Sequence, residues 1–140
     1  VEPGERELVF IGGGAGMAPL RAQVLDLLET QATRRKISYW YGARSRRELY
    51  YADLFERLQD EFDNFEWHPA LSAPEKSDAW EGDVGFIHQV AFDHYLGRHP
   101  APESCDYFLC GPPMMVQSVL AMLDELGVAA EHIHYDDFGT

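Results

Sequence analysis

The stretch Gly12-Gly13-Gly14-Ala15-Gly16-Met17-Ala18-Pro19 follows directly on the apolar run Leu8-Val9-Phe10-Ile11. Glycine is costly to order, so a cluster of it marks a backbone that must turn sharply or let something come very close. An apolar strand, a glycine turn and a helix start together suit a diphosphate, because the first turn of a helix offers unpaired N–H groups and partial positive charge. The frame from Gly14 to Pro19 reads G-x-G-x-x-P, with proline where the dinucleotide fingerprint has its last glycine. Proline suits a first helical turn, where its missing N–H would have found no partner anyway. On these residues alone two readings stand: a ligand-binding loop, or a structural tight turn.

Other residues could join such a site. Cys110 closes a short apolar run just before Gly111-Pro112-Pro113-Met114 and a helix start. Without its context it reads better as a small buried apolar residue. Arg44 and Arg46 are candidate partners for phosphate or ribose; with Arg47 they could equally be a basic surface cluster. Ser72 follows the third apolar run, and Glu75, Asp78, Glu81 and Asp83 follow it. These acids read as a solvated loop face that also gives the segment a negative field. Phe138 is an aromatic residue near the chain end, where side chains usually have little to pack on. The six histidines are scattered. His132 and His134 alternate on one predicted strand, and a metal would need a third ligand beside them, so no metal is expected. No Ser–His–Asp arrangement and no paired catalytic carboxylates stand out.

The elements that must position these residues alternate in type. Residues 7–12 read as a buried strand, 19–31 as a helix, 36–42 as a strand and 52–62 as a helix. Residues 65–71 read as a strand, 72–85 as a loop and 86–96 as a helix. A short strand at 107–110, a helix at 114–126 and a last strand at 133–136 complete the chain. Apolar stripes at helical spacing support the helices, with Leu20, Val24, Leu27 and Leu28 in the first. Gly127 is expected to end the last helix in a left-handed conformation. This alternation predicts one α/β domain, a parallel sheet of about five strands flanked by helices on both faces. Ligands of such sheets bind outside the carboxyl ends of the strands, at the switch point of the strand order.

Composition narrows the function. With 140 residues the chain can bury a sizeable core, and a formal net charge of −13 disfavours nucleic acid and anionic membranes as partners. No apolar run approaches the ~20 residues of a membrane span. The start at Val1, with neither initiator methionine nor signal peptide, suggests a piece of something larger. Cys105 and Cys110 are the two cysteines. On one strand, at ~3.3 Å per residue, their Cα atoms would stand ~16 Å apart, too far for a disulfide, which suggests a reducing compartment.

Taken together, the motifs resemble the nicotinamide-binding domain of the ferredoxin–NADP reductase superfamily. The G-x-G-x-x-P loop with Leu20-Arg21 matches it. So do Tyr41-Gly42-Ala43-Arg44-Ser45 after the second strand and Cys110-Gly111-Pro112-Pro113-Met114 before the last helix. The chain end Tyr135-Asp136-Asp137-Phe138-Gly139 looks like that of one branch, the F subunits of sodium-translocating NADH:quinone reductases. The resemblance implies a ferredoxin-reductase-like nucleotide-binding domain covering residues 1–140. It would bind NADH and present it for hydride transfer to FAD. The diphosphate would lie over Gly13, Gly14, Ala15, Gly16, Met17 and Pro19, and the adenosine ribose near Ser72 and Arg44. The nicotinamide would lie by Cys110, Gly111, Pro112 and Met114. Cys110 would shape the pocket at C4, and Phe138 would stack on the flavin where nicotinamide must dock.

NADP-using members of the superfamily grip the 2′-phosphate with a Ser-Arg pair after the third strand, helped by a Lys and a Tyr downstream. Here the corresponding stretches read Ser72-Ala73 and Val84-Gly85-Phe86, so neither supplies a cation and NADH is expected. The R-x-Y-S motif of the flavin domain and the cysteine run of a plant-type iron–sulfur cluster are absent from these residues. FAD and a 2Fe-2S cluster would therefore belong to further domains of the same polypeptide. Other subunits of a membrane complex, on the cytoplasmic side of a bacterial inner membrane, would be the partners. The isolated chain would bind NADH without oxidising it. Two alternatives remain: the same domain from a multicomponent oxygenase reductase, and a nucleotide-sensing module without a redox role.

Overall fold

The computed structural model describes residues 5–14 and 17–135. Six parallel strands form one sheet in the order β4-β3-β2-β1-β5-β6. They are β1 (Leu8–Gly13), β2 (Ile37–Ala43), β3 (Phe65–Leu71), β4 (Asp83–Val84), β5 (Asp106–Cys110) and β6 (Ile133–Tyr135). Four helices connect them: α1 (Met17–Leu25), α2 (Ala52–Glu61), α3 (Ile87–His94) and α4 (Pro113–Glu125). The chain winds outward from β1 through β2 to β4, then returns to lay β5 on the other side of β1. The strand order therefore reverses between β1 and β5, where Gly12 stands opposite Cys110.

The sheet separates two apolar layers. On one face, Met17, Leu20, Val24 and Leu28 of the first helical segment and Phe55 and Leu58 of α2 cover Phe10, Tyr39, Tyr41 and Trp67. On the other, Ile87, Val90 and Ala91 of α3 and Val119, Met122 and Leu123 of α4 cover Val9, Ile11, Trp40 and Leu109. Neighbouring strand residues alternate between the layers, as a pleat requires, and β1 is buried along its whole length. A strand covered on both faces has no polar side, so β1 is uniformly apolar.

The sheet has six strands against the five or so expected. The extra strand, β4, lies in the segment read as a loop. Its two residues pair with Ala70 and Leu71, too short a run to show a periodicity. The same segment contains a single helical turn, Lys76–Asp78. Helix α1 begins at Met17, ahead of the expected start. After Leu25 the wider turn Asp26–Thr30 continues it, with Gln31 N–H donating to the Asp26 carbonyl at 2.8 Å. Gly127 takes a φ of +80° after α4. Its N–H donates to the Asp124 carbonyl and that of Val128 to the Leu123 carbonyl, a Schellman ending. Cys105 and Cys110 are both buried thiols, without a disulfide between them. Among the described residues no helix is long and apolar enough to cross a membrane.

Candidate functional site

At the reversal point the backbones of three glycines come together. A Cβ on Gly13 would sit 3.1 Å from the Gly42 carbonyl oxygen and 2.9 Å from Met115 Sδ. One on Gly111 would sit 3.1 Å from the Gly13 carbonyl oxygen. Only residues without side chains let the ends of β1, β2 and β5 converge this closely. Gly14, next in the chain, has a φ of +53°, a left-handed turn that glycine adopts without steric cost.

Outside these strand ends lies a cleft of about 380 Å³. Gly13, Gly14 and Pro112 wall one end of it; Arg44, Ser72 and Phe86 wall the other. Five predicted site residues from four stretches of sequence, Gly13 and Gly14, Arg44, Ser72 and Pro112, are thus brought to one cleft. Pro19 is exposed in the first turn of α1. Met17 is buried, and the Tyr39 hydroxyl points at its sulfur at 3.6 Å, so this residue can offer a ligand its backbone only. Cys110 is 6% exposed and packs into the α1–α2 layer, in the floor behind the cleft and not in its wall. Gly111 follows it at the mouth of the β5–α4 turn. Met114 is 84% exposed at the start of α4. Ala15, Gly16 and Phe138 lie outside the described residues, as do Asp136 and Asp137.

Three features escaped the sequence reading. Tyr41 is buried in β2, and its hydroxyl donates to the Gly14 carbonyl at 2.9 Å, tying the glycine turn to the sheet. Burial pushes its phenol up to about 12. Its place inside Tyr41-Gly42-Ala43-Arg44-Ser45 was the available signal. Phe86 stands 70% exposed at the cleft rim, an apolar ring open to a flat partner. Glu48 also lines the cleft, and its carboxylate holds Arg44. Arg44 Nη2 donates to Oε1 at 2.6 Å, and the backbone N–H of Arg44 donates to Oε2 at 3.2 Å. The guanidinium's hydrogen bonds hold the Glu48 carboxyl below the usual carboxylate range and raise the Arg44 pKa in turn. A carboxylate thus stands beside the end of β2, brought there by the turn Arg46–Glu48.

The acids of the 72–85 segment are also more than a solvated face. Glu75 pairs with Arg47 at 2.6 Å. Asp78 is buried and accepts the backbone N–H groups of Glu75 at 2.9 Å and Arg46 at 3.2 Å, which lowers its pKa. The basic cluster and the acidic loop are therefore one interlocked surface.

One further group of titratable side chains lies at the opposite end of the sheet. Glu7, His99 and Cys105 bring three ligand-type atoms within 4.8 Å of one another. The Ala101 N–H donates to His99 Nδ1 at 2.9 Å, so the neutral ring carries its proton on Nε2 and donates it to Glu7 at 2.9 Å. Tyr95 donates to the other Glu7 oxygen. Burial, reinforced by Glu7, pushes the Cys105 thiol up to about 12. A metal would need a bare imidazole nitrogen and a thiolate, and this network presents neither.

The sequence pattern of the oxidoreductase NAD-binding domain matches residues 10–121. The F subunit of the Na(+)-translocating NADH-quinone reductase of Pseudoalteromonas atlantica is 58% identical over 135 residues, which are 96% of this chain and 33% of the relative. The chain thus spans about a third of the length of that relative. The ferredoxin reductase of carbazole 1,9a-dioxygenase superposes with a TM-score of 0.75 at 30% identity, over 97% of this chain and 38% of that one. The flavohaem-like FAD/NAD-binding domain of nitric oxide dioxygenase from Vibrio cholerae superposes with a TM-score of 0.76 at 28% identity, over all of this chain and 54% of that one. The resemblance drawn from the glycine loop and the Cys-Gly-Pro-Pro turn holds across the whole sheet, and the chain belongs to the oxidoreductase NAD-binding domain family, in its ferredoxin-reductase-like form.

Proposed function

We propose that this chain is the NADH-binding domain of a flavoprotein reductase of the sodium-translocating NADH:quinone reductase F-subunit type. The observation that carries the reading is the glycine-walled cleft at the reversal point, continuous from Gly13 and Pro112 to Ser72 and Phe86. Its shape suits a dinucleotide in an extended pose. The diphosphate would lie against Gly14 and the start of α1, where backbone N–H groups face out. The adenine would rest on Phe86, whose ring offers an apolar face. Ser72 would hydrogen-bond the adenosine ribose. The nicotinamide would turn in over Gly111 and Pro112, with Cys110 beneath, so that C4 is held at the ~3–3.5 Å a reacting partner requires. FAD, on another domain of the same polypeptide, would accept the hydride. The positioning of one substrate is this chain's contribution. A 2Fe-2S cluster on a further domain would take the electrons onward. The relatives' name suggests a quinone as their destination and a membrane complex as the setting. The oxygenase-reductase alternative shares all of this chain's features and differs only downstream of the flavin. The sensing alternative turns on Phe138, outside the described residues.

The purified chain should therefore bind NADH, seen as a change in nucleotide fluorescence, and leave it unoxidised until a flavin-bearing domain is added. Gly14→Val, which forces a β-branched residue into a left-handed turn, should remove the binding. A folded chain that leaves NADH fluorescence unchanged, or that consumes NADH without flavin, would sink the reading.

A further inference from the structure

The adenosine end of the cleft opens into a second hollow of about 450 Å³, lined by Arg44, Arg47, Glu48, Tyr50, Ala73 and Glu75. It shares Arg44 and Glu48 with the cleft and reaches Ala73, next to Ser72, so it adjoins the place of a ribose held by Ser72. Two guanidiniums face it, each 79% exposed at the side chain. Such a pair is a natural acceptor of a phosphate dianion, which guanidinium binds through two parallel hydrogen bonds. The stretches Ser72-Ala73 and Val84-Gly85-Phe86 supply no cation, as the sequence indicated, but the turn after β2 brings two to the hollow.

Each of these arginines is already engaged. Glu48 holds Arg44 through Nη2 at 2.6 Å, with Nε 3.1 Å from both carboxylate oxygens. Glu75 holds Arg47 at 2.6 Å. The third arginine of the cluster turns away: Arg46 Nε donates to the Asp78 carbonyl at 3.0 Å, and its guanidinium lies over Trp80. Two positive and two negative groups leave the hollow without net charge. A phosphate entering it would have to displace carboxylates from the cations it needs and then sit beside them. A ribose hydroxyl meets no such conflict, and it can donate to a carboxylate.

We propose that Glu48, assisted by Glu75, is a specificity-determining residue that restricts the site to NADH by occupying Arg44 and Arg47. This rests on the NADH reading above. NADPH is disfavoured by masking of a phosphate site that is present in the fold, not by its absence.

The test is made in the intact reductase that carries this chain, with kcat/KM measured for NADH and for NADPH. Glu48→Gln should raise kcat/KM for NADPH about ten-fold, the scale of one released charge-assisted hydrogen bond, and so raise the NADPH/NADH ratio of kcat/KM. Adding Glu75→Gln should raise NADPH use further. Adding Arg44→Met to Glu48→Gln should remove the gain, because Arg44 is the cation that was freed. Inhibition by 2′-AMP should strengthen in the same order relative to inhibition by 5′-AMP, and this readout does not depend on hydride transfer. Should Glu48→Gln fold poorly, Glu48→Ala frees the same arginine. An NADPH/NADH ratio left unchanged in the single and double variants, or a gain that survives Arg44→Met, overturns the proposal while the NADH reading stands. An unmodified reductase that oxidises no NADH removes both.

Discussion

Cys110 is buried in the last residue of β5, opposite Gly12 and one residue ahead of the convergence of the three glycines. In the proposed pose a group in that position would act on the floor against which the nicotinamide is set, far from the adenosine end at Ser72 and Phe86. Cys110→Ala should therefore lower the rate of flavin reduction by about ten-fold, ~1.4 kcal/mol in the barrier, and change the KM for NADH little. Stopped-flow reduction of the intact reductase measures both. Equal losses in rate and binding would return Cys110 to the role of a core residue. Cys105 sits differently, beside Glu7 and His99 at the far end of the strands, and its burial keeps it a thiol at neutral pH. Two cysteines five positions apart thus serve opposite ends of the sheet.

At the scale of elements, the site depends on how closely three strand ends approach. Aromatic residues of β2 form the support. Tyr39 reaches the Met17 sulfur and Tyr41 the Gly14 carbonyl, so the glycine turn is fixed from the strand beside it. Backbone hydrogen bonds then carry the arrangement outward. Ser72 N–H donates to the Ala43 carbonyl at 2.9 Å and Ala73 N–H to the Arg44 carbonyl at 2.8 Å. These bonds set Ser72 beside Arg44. Gly13→Ala tests the convergence. Its methyl would meet the Gly42 carbonyl, which belongs to a paired strand and cannot swing aside, and Met115, which can. Overpacking of this kind costs roughly 1–3 kcal/mol, so the urea midpoint should fall with an unchanged slope. Adding Met115→Ala should restore only part of the loss, since the carbonyl contact remains.

For the whole molecule, a pH dependence arises from His68 in β3. Its ring stacks on Trp40 at 4.0 Å between centroids, in the layer covered by α3. Burial lowers its pKa below the ordinary 6.5, against the opposing pull of Glu66 at 3.3 Å. A base whose folded pKa is depressed is fully tolerated above 6.5. Below that value the unfolded chain takes up a proton that the folded chain does not. Stability is therefore lost as pH falls from about 6.5 to the folded pKa, and the loss is complete below it. Urea unfolding of the chain should show a lower midpoint at about pH 5.5 than at about pH 7.5. His68→Phe, which keeps a ring on Trp40 and removes the titration, should flatten that difference. A midpoint equally pH-dependent in His68→Phe would place the titration elsewhere.

By itself the sequence determined the order and type of the major elements, because apolar runs of four to seven residues and helical stripes are local patterns. It also marked the glycine turn and the Cys-Gly-Pro-Pro turn, since each is contiguous and needs residues that few other settings require. The edge strand Asp83–Val84 was not legible, because two residues carry no period and their pairing partners lie in β3. Nor was Glu48 legible as part of the site: its pair with Arg44 is local, four residues apart, but only the pairing of β2 with β3 sets that pair in one cleft with Ser72. Local spacing records what a segment can do with its own neighbours. Arg44 meets a carboxylate four residues on, but whether Arg47 meets a ligand or Glu75 is decided by which turns the sheet brings side by side, and that depends on strand order and register.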